Sequence, residues 1–152
     1  MVQTQIHPPA LRIMERMLTE GFAAGRTEVV DELCSPDIVE HQFDLAGTGA
    51  EALGKLKACM TAVHAAFPDL RFTVEDWTQT GDHDDAAPTI WVRARGAGTN
   101  TGPFLGAPTG LPVQFTVFDV ARIEEGRIVE HWGVPDRFEV LVRTGRVAAG
   151  PR

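Results

Sequence analysis

Asp119 stands between Phe118 and Val120 in the otherwise apolar run VQFTVFDVARI, residues 113–123. Burying an unpaired carboxylate is costly, so such an acid needs either a structural partner or a chemical task. Soon after, IVEHWGVPDRF (residues 128–138) sets Glu130, His131 and Trp132 side by side, ahead of Gly133, Pro135 and Asp136. An imidazole beside a carboxylate can pass a proton near neutral pH, whereas two adjoining carboxylates would share one proton and raise a pKa. Which pair forms depends on strand geometry. The two-residue period puts Phe115, Val117, Asp119 and Ala121 on one face, with Thr116, Phe118, Val120 and Arg122 on the other. In the following strand Arg127, Val129, His131 and Gly133 oppose Ile128, Glu130, Trp132 and Val134. With Glu124-Glu125-Gly126 as the turn, the numbers of paired residues sum to about 249 or 250. Asp119 then faces either Glu130 or His131, and the sequence leaves the choice open. The bland reading of Asp119 is a carboxylate held by an arginine or by backbone.

Other residues can be placed around this pair. His41, in IVEHQ, follows an apolar pair where a loop would reach the mouth of the sheet, and belongs either to the surface or to a pocket. Trp77, Trp91 and Trp132, with Phe104 and Phe115, suit the walls of a pocket for a flat apolar ligand, or simply the core. His7 and His64 receive no role. The DHDD stretch at 82–85 reads as a solvated turn rather than a metal site. Cys34 and Cys59 lack the close spacing of a zinc or redox motif and read as ordinary buried thiols. No serine or cysteine lies near a histidine in a nucleophile pattern, and no glycine-rich loop joins a strand to a helix.

The elements that must position these residues follow from the hydrophobic period. Leu11, Met14, Leu18 and Phe22 recur at helical spacing from Pro9 to about Gly25, with proline favouring the start. A short helix is expected from Thr27, as N-cap, to just before Ser35-Pro36, followed by an extended IVEHQF. After the turn Gly47-Thr48-Gly49, Leu53, Leu56, Cys59, Met60, Val63 and Phe67 mark a longer helix that Pro68 ends. Then the period changes. LRFTVEDW, TIWVRARGAG, VQFTVFDVARI and GRIVEHWGV are rich in β-branched and aromatic residues and read as four strands. Three helices followed by antiparallel strands indicate an α+β domain in which a curved sheet packs over the helices, with residues 1–145 as one domain and 146–152 as a tail.

The 152 residues suit a single core, and 43% hydrophobic with 23% charged residues is an ordinary globular composition. Fourteen Lys and Arg against 21 Asp and Glu leave a net charge of −7, which repels phosphate backbones and anionic membranes. Neither nucleic acid nor membrane is an expected partner. No apolar run approaches the ~20 residues of a membrane span, and the N-terminus lacks the blocks of a signal peptide, so a cytoplasmic location is expected.

The order of SPDIVEHQ, FPDLRFTVEDW and GTNTGPFLGAPTGLPVQFTVFDVARIEEGRIVEHWGVPD resembles the SnoaL-like polyketide cyclases of the nuclear transport factor 2-like superfamily, over about residues 10–143. The loop TGPFLGAPTG followed by a hairpin ending in EHW is the most specific part. The resemblance implies a cone-shaped barrel of strongly bent, mostly antiparallel sheet packed on three helices, enclosing a deep pocket in a homodimer or larger homo-oligomer. It implies ring closure by intramolecular aldol condensation, with no metal or cofactor, on a small hydrophobic substrate. Relatives use the same pocket for isomerisation, dehydration and epoxide opening.

Carried over position by position, the family's principal aspartate falls on Gly133. A pocket histidine falls on Asp119. His131 and the pair Pro135-Asp136 match, Asn100 stands where many relatives have histidine, and His41 matches a histidine common after the second helix. The acid is therefore expected to have moved from the last strand to its neighbour. The expected site has Asp119 as acid or base with His131 and His41, and Trp77, Trp91, Asn100, Phe104, Phe115, Val117, Trp132, Gly133 and Asp136 around the substrate. His41 and Asn100 would polarise a substrate oxygen. The alternatives are an epoxide hydrolase or epoxide-opening cyclase, and a non-catalytic binding protein.

Overall fold

The structure, a computed structural model, describes residues 7–81 and 87–151. The DHDD turn at 82–85 lies outside the described residues. Pro9 opens α1 (Pro9–Arg16), where its fixed φ and missing N–H do no harm, and the chain winds on through a π-helical segment (Met17–Ala23). Their common face buries Leu11, Met14, Met17 and Leu18. A short α2 (Val29–Leu33) begins one residue later than expected, with Glu28 rather than Thr27 at the N-cap position and no side-chain cap hydrogen bond. It leads directly into β1 (Cys34–Glu40), so the extended segment starts before Pro36 and ends before His41. A two-residue β2 (Gly47–Thr48) precedes α3 (Gly49–Ala66), which buries Ala52, Leu56, Met60 and Ala66.

The four expected strands are β3 (Arg71–Thr80), β4 (Thr89–Thr99), β5 (Pro112–Glu124) and β6 (Arg127–Pro135). They are longer than the apolar runs because backbone pairing extends past the last buried side chain. A fourth helix, α4 (Arg137–Arg143), adds to the three expected. Asp136 caps it, its Oδ1 accepting the Glu139 N–H at 2.9 Å. Residues expected to begin a tail still belong to this end of the fold, since the Arg146 N–H donates to the Leu141 carbonyl at 2.8 Å.

The six strands form one curved sheet in the order β2-β1-β6-β5-β4-β3. Pairing is antiparallel throughout except between β1 and β6, which run parallel. The α+β architecture is as expected. Ile90, Val92 and Ala94 of β4, Ala121 and Ile123 of β5 and Ile128 of β6 meet the helices in one core cluster. A second cluster joins Phe67, Leu70, Val113, Phe115, Val117 and Val140.

The β5–β6 hairpin departs from the expected register in two ways. Glu124 pairs with Arg127, so the turn is Glu125-Gly126 alone, with φ of +49° and +74°. Both residues are left-handed, as a two-residue turn of the type I′ kind requires, and Gly126 accepts that conformation at no steric cost. Next, Arg122 pairs with Glu130 but Ile123 with Ile128, leaving Val129 as the extra residue of a bulge. The bulge turns Ile128 inward, against the simple alternation. As a result Asp119 pairs with Gly133, and His131 with Ala121, rather than Asp119 with Glu130 or His131.

Candidate active site

The inner faces of these strands and the helices enclose a cavity of about 100 Å³ with strongly apolar walls. Met14, Met17, Leu18 and Phe22 close one side, and Phe67, Phe72, Phe104, Phe115 and Val117 another. Asp119 opens into it from the middle of β5, in the inward series Phe115, Val117, Asp119 and Ala121. His131 enters from β6. Its Nε2 lies 3.5 Å from Asp119 Oδ1, so strand parity does bring the two together although they are not cross-strand partners.

The second partner of His131 is Glu40, whose Oε2 and Oε1 lie 2.8 and 3.0 Å from Nδ1. Glu40 is the last residue of β1 and the parallel neighbour of His131. Its side chain is wholly shielded from solvent, and Oε1 also accepts the Gln42 N–H at 2.8 Å. Burial on its own would lower the His131 pKa, but the hydrogen bonds and charges of Asp119 and Glu40 prevail and raise it to about 10. The ring is then an imidazolium at neutral pH, flanked by two carboxylates. Sequence reasoning passed over Glu40. The signal used for Asp119, an acid inside an apolar run, does not mark Glu40, which only Ile38 and Val39 precede and His41-Gln42 follow.

Gln42, also passed over, explains Gly133. A Cβ on Gly133 would overlap Gln42 Oε1 and lie 2.9 Å from Asp119 Oδ1 and 3.0 Å from His131 Cε1. The place of a side chain at that position is thus filled by groups from β5 and from the segment after β1. Asp136 lines the cavity too, though one oxygen is committed to capping α4. Arg137 beside it is held by Asp44 through two bonds of 2.9 and 3.0 Å. Cys34 and Cys59 line the cavity as thiols, that of Cys34 pushed up to about 12 by burial, which suits neither for nucleophilic attack.

Several of the expected site residues, His41 among the catalytic ones, lie elsewhere. His41 is on the outer face, stacked on Trp132 at 4.6 Å and bonded to Glu130 Oε1 at 2.9 Å. The Glu130 carboxyl, bonded by both His41 and Arg122 on this outer face, is held below its usual range. Trp91 alternates with the buried Ile90 and Val92 and therefore points outward, as Trp132 does opposite the inward Gly133. Trp77 packs at the edge of the main core rather than on the cavity, near His7. Asn100 is fully buried but serves its own loop. Its Nδ2–H donates to the Gly102 carbonyl at 2.7 Å, and its Oδ1 accepts from the Thr109 N–H and hydroxyl at 3.2 and 3.0 Å. No group of three or more acids, histidines and cysteines is arranged to hold a metal among the described residues.

The sequence profile of the SnoaL-like polyketide cyclase family matches residues 12–142. Among solved structures, wild-type IdmH of Streptomyces antibioticus, a candidate polyketide cyclase, is 32% identical, with a TM-score of 0.70 over 91% of this chain and 99% of that one. AclR of Streptomyces galilaeus, a candidate hydroxylase, is 25% identical, with a TM-score of 0.75 over 95% and 89%. A candidate SnoaL-like polyketide cyclase of Jannaschia sp. CCS1 is 24% identical, with a TM-score of 0.74 over 99% of both chains. No protein of curated function matches the sequence.

Proposed function

Because the chain belongs to the SnoaL-like polyketide cyclase family, we propose that it is an acid/base enzyme that closes a ring in an apolar polyketide-like substrate with its own side chains and no cofactor. The observation that carries this reading is Asp119, a buried carboxylate on the apolar wall of the cavity, 3.5 Å from His131 Nε2. Asp119 takes a proton from a carbon next to a substrate carbonyl, and the electron pair of that C–H bond becomes an enolate delocalised within the substrate. The enolate carbon forms a C–C bond to a second carbonyl carbon, whose π pair moves onto oxygen. Asp119 returns its proton to that oxygen, so the enzyme ends as it began. His131 supplies positive charge beside the developing anion in a medium that screens it weakly.

The test is catalysed hydrogen–deuterium exchange next to the carbonyl of hydrophobic aryl ketones and β-keto esters, followed by NMR. Asp119→Asn should slow exchange by roughly 10²- to 10⁴-fold, the usual contribution of a general acid or base. Equal exchange by wild type and variant would remove Asp119 from the chemistry. Tight binding without exchange would favour a ligand-binding protein, and turnover of hydrophobic epoxides alone would favour the epoxide-opening alternative.

A further inference from the structure

We infer that Glu40 is a positioning residue for His131, fixing the ring through Nδ1 and keeping it an imidazolium so that Nε2–H presents a proton and a positive charge beside Asp119. The inference rests on the acid/base reading of the cavity and names the group that makes one of its two partners usable. Glu40 and His131 are parallel-strand neighbours, and the bulge at Val129 sets the phase of β6 that turns the ring inward. Both Glu40 oxygens reach Nδ1, and Oε1 holds the Gln42 N–H as well. Glu40 has no solvent exposure at its side chain, so its charge must be answered from inside the protein.

The charged and titratable groups around the ring are few. Asp119 comes from β5, Cys34 from β1, Cys59 from α3, and Asp136 and Arg137 from the start of α4. The two thiols stay protonated, and Arg137 is engaged with Asp44. His131 is thus the cation that answers Glu40 among these groups.

The ring's protonation decides what Nε2 can do. A neutral ring with its proton on Nδ1 would turn a lone pair from Nε2 toward the Asp119 carboxylate, and the two would repel. A doubly protonated ring offers an N–H there instead, toward Asp119 or toward a substrate oxygen gaining negative charge. Glu40 therefore makes His131 a donor and leaves the base role to Asp119.

NMR of the ring nitrogens and carbons tests this without any substrate, with His131 assigned by comparison with His131→Asn. In wild type the ring should stay doubly protonated from pH 6 to 9. Glu40→Gln should lower its proton affinity about 10- to 1,000-fold, the effect of losing a close opposite charge, while Glu40→Asp should retain most of it. A neutral wild-type ring at pH 7.5 would overturn the inference even if Glu40→Gln failed to fold. So would an unchanged ring titration in Glu40→Gln, because Asp119 alone would then hold the charge. In the exchange assay Glu40→Gln should also shift the alkaline limb of the pH profile downward. Full activity at pH values where its ring is neutral would show that the charge is unused. Should wild type exchange nothing at all, the acid/base reading falls, and the ring measurement still decides the Glu40–His131 coupling.

Discussion

At Gly133 the backbone of β6 runs directly beneath the Gln42 amide and against Asp119 and His131. A side chain there must push at least one of them aside, and two of the three carry the proposed chemistry. Gly133→Ala should therefore destabilise the protein by about 1–3 kcal/mol, as overpacking does, and should disturb exchange activity as well. Combining it with Gln42→Ala frees the colliding amide, so the double variant should recover much of the stability lost by Gly133→Ala alone. Urea unfolding of the four members of this cycle gives the answer. Additive losses would mean that Gln42 is not what excludes a side chain at this position. Coupled losses would give the glycine a steric basis, because the space a side chain at 133 would need is already held by Gln42, Asp119 and His131.

The elements divide the work between holding the site and covering it. β1, β5 and β6 carry Glu40, Asp119 and His131, whereas the loop 100–111 carries Phe104, which packs on Phe67 at 5.2 Å and lines the cavity. Asn100 ties that loop together. Its backbone N–H donates to the Leu111 carbonyl at 2.9 Å, its carbonyl accepts from Gly110 at 2.8 Å, and its amide bonds both Gly102 and Thr109. Asn100→Ala should cost about 1–3 kcal/mol, the penalty for leaving buried polar partners unsatisfied. It should weaken ligand binding through Phe104 while leaving the pH dependence of exchange in place. A shifted pH profile with normal stability would instead mean that Asn100 touches the reacting groups. α4 completes the cover; it was not among the expected elements, although Asp136 with Glu139 three residues on, ahead of an apolar helical run, is the local signal for its start.

For the whole molecule the outer face of the sheet is the unusual surface. Trp91, Val120 and Trp132 align across β4, β5 and β6, and Phe118 and Val134 lie beside them in the next row. Trp91, Phe118 and Val134 are 49%, 54% and 66% exposed. A contiguous apolar patch of this kind is uncommon on a monomer, and charged residues such as Arg93, Arg122 and Glu130 stand at its margins. We propose it as the face that a homodimer covers, the same patch from each copy meeting about a two-fold axis. Sedimentation equilibrium should find dimers of wild type and monomers of Phe118→Asp, whose side chain points away from the cavity. A wild type that remains monomeric at about 100 µM, where even weak dimers with micromolar Kd form, would remove the proposal.

The local pattern of residues was enough for the first three helices, for the four long strands, for the α+β class and for the inward series Phe115, Val117, Asp119 and Ala121, because period and breaker residues act over a few positions. Alternation also placed Trp132 opposite His131, and the structure obeys it, against the expectation that this tryptophan walls the pocket. Tertiary structure decided the rest. The hairpin register depended on which two residues turn and on one bulged residue, each moving the pairing by a single position. Glu40 meets His131 across 91 residues of chain, through a parallel pairing that no short stretch encodes. The long-range strand pairing therefore determined which carboxylates share the buried histidine, and the same pairing left His41, one residue beyond Glu40, on the opposite face.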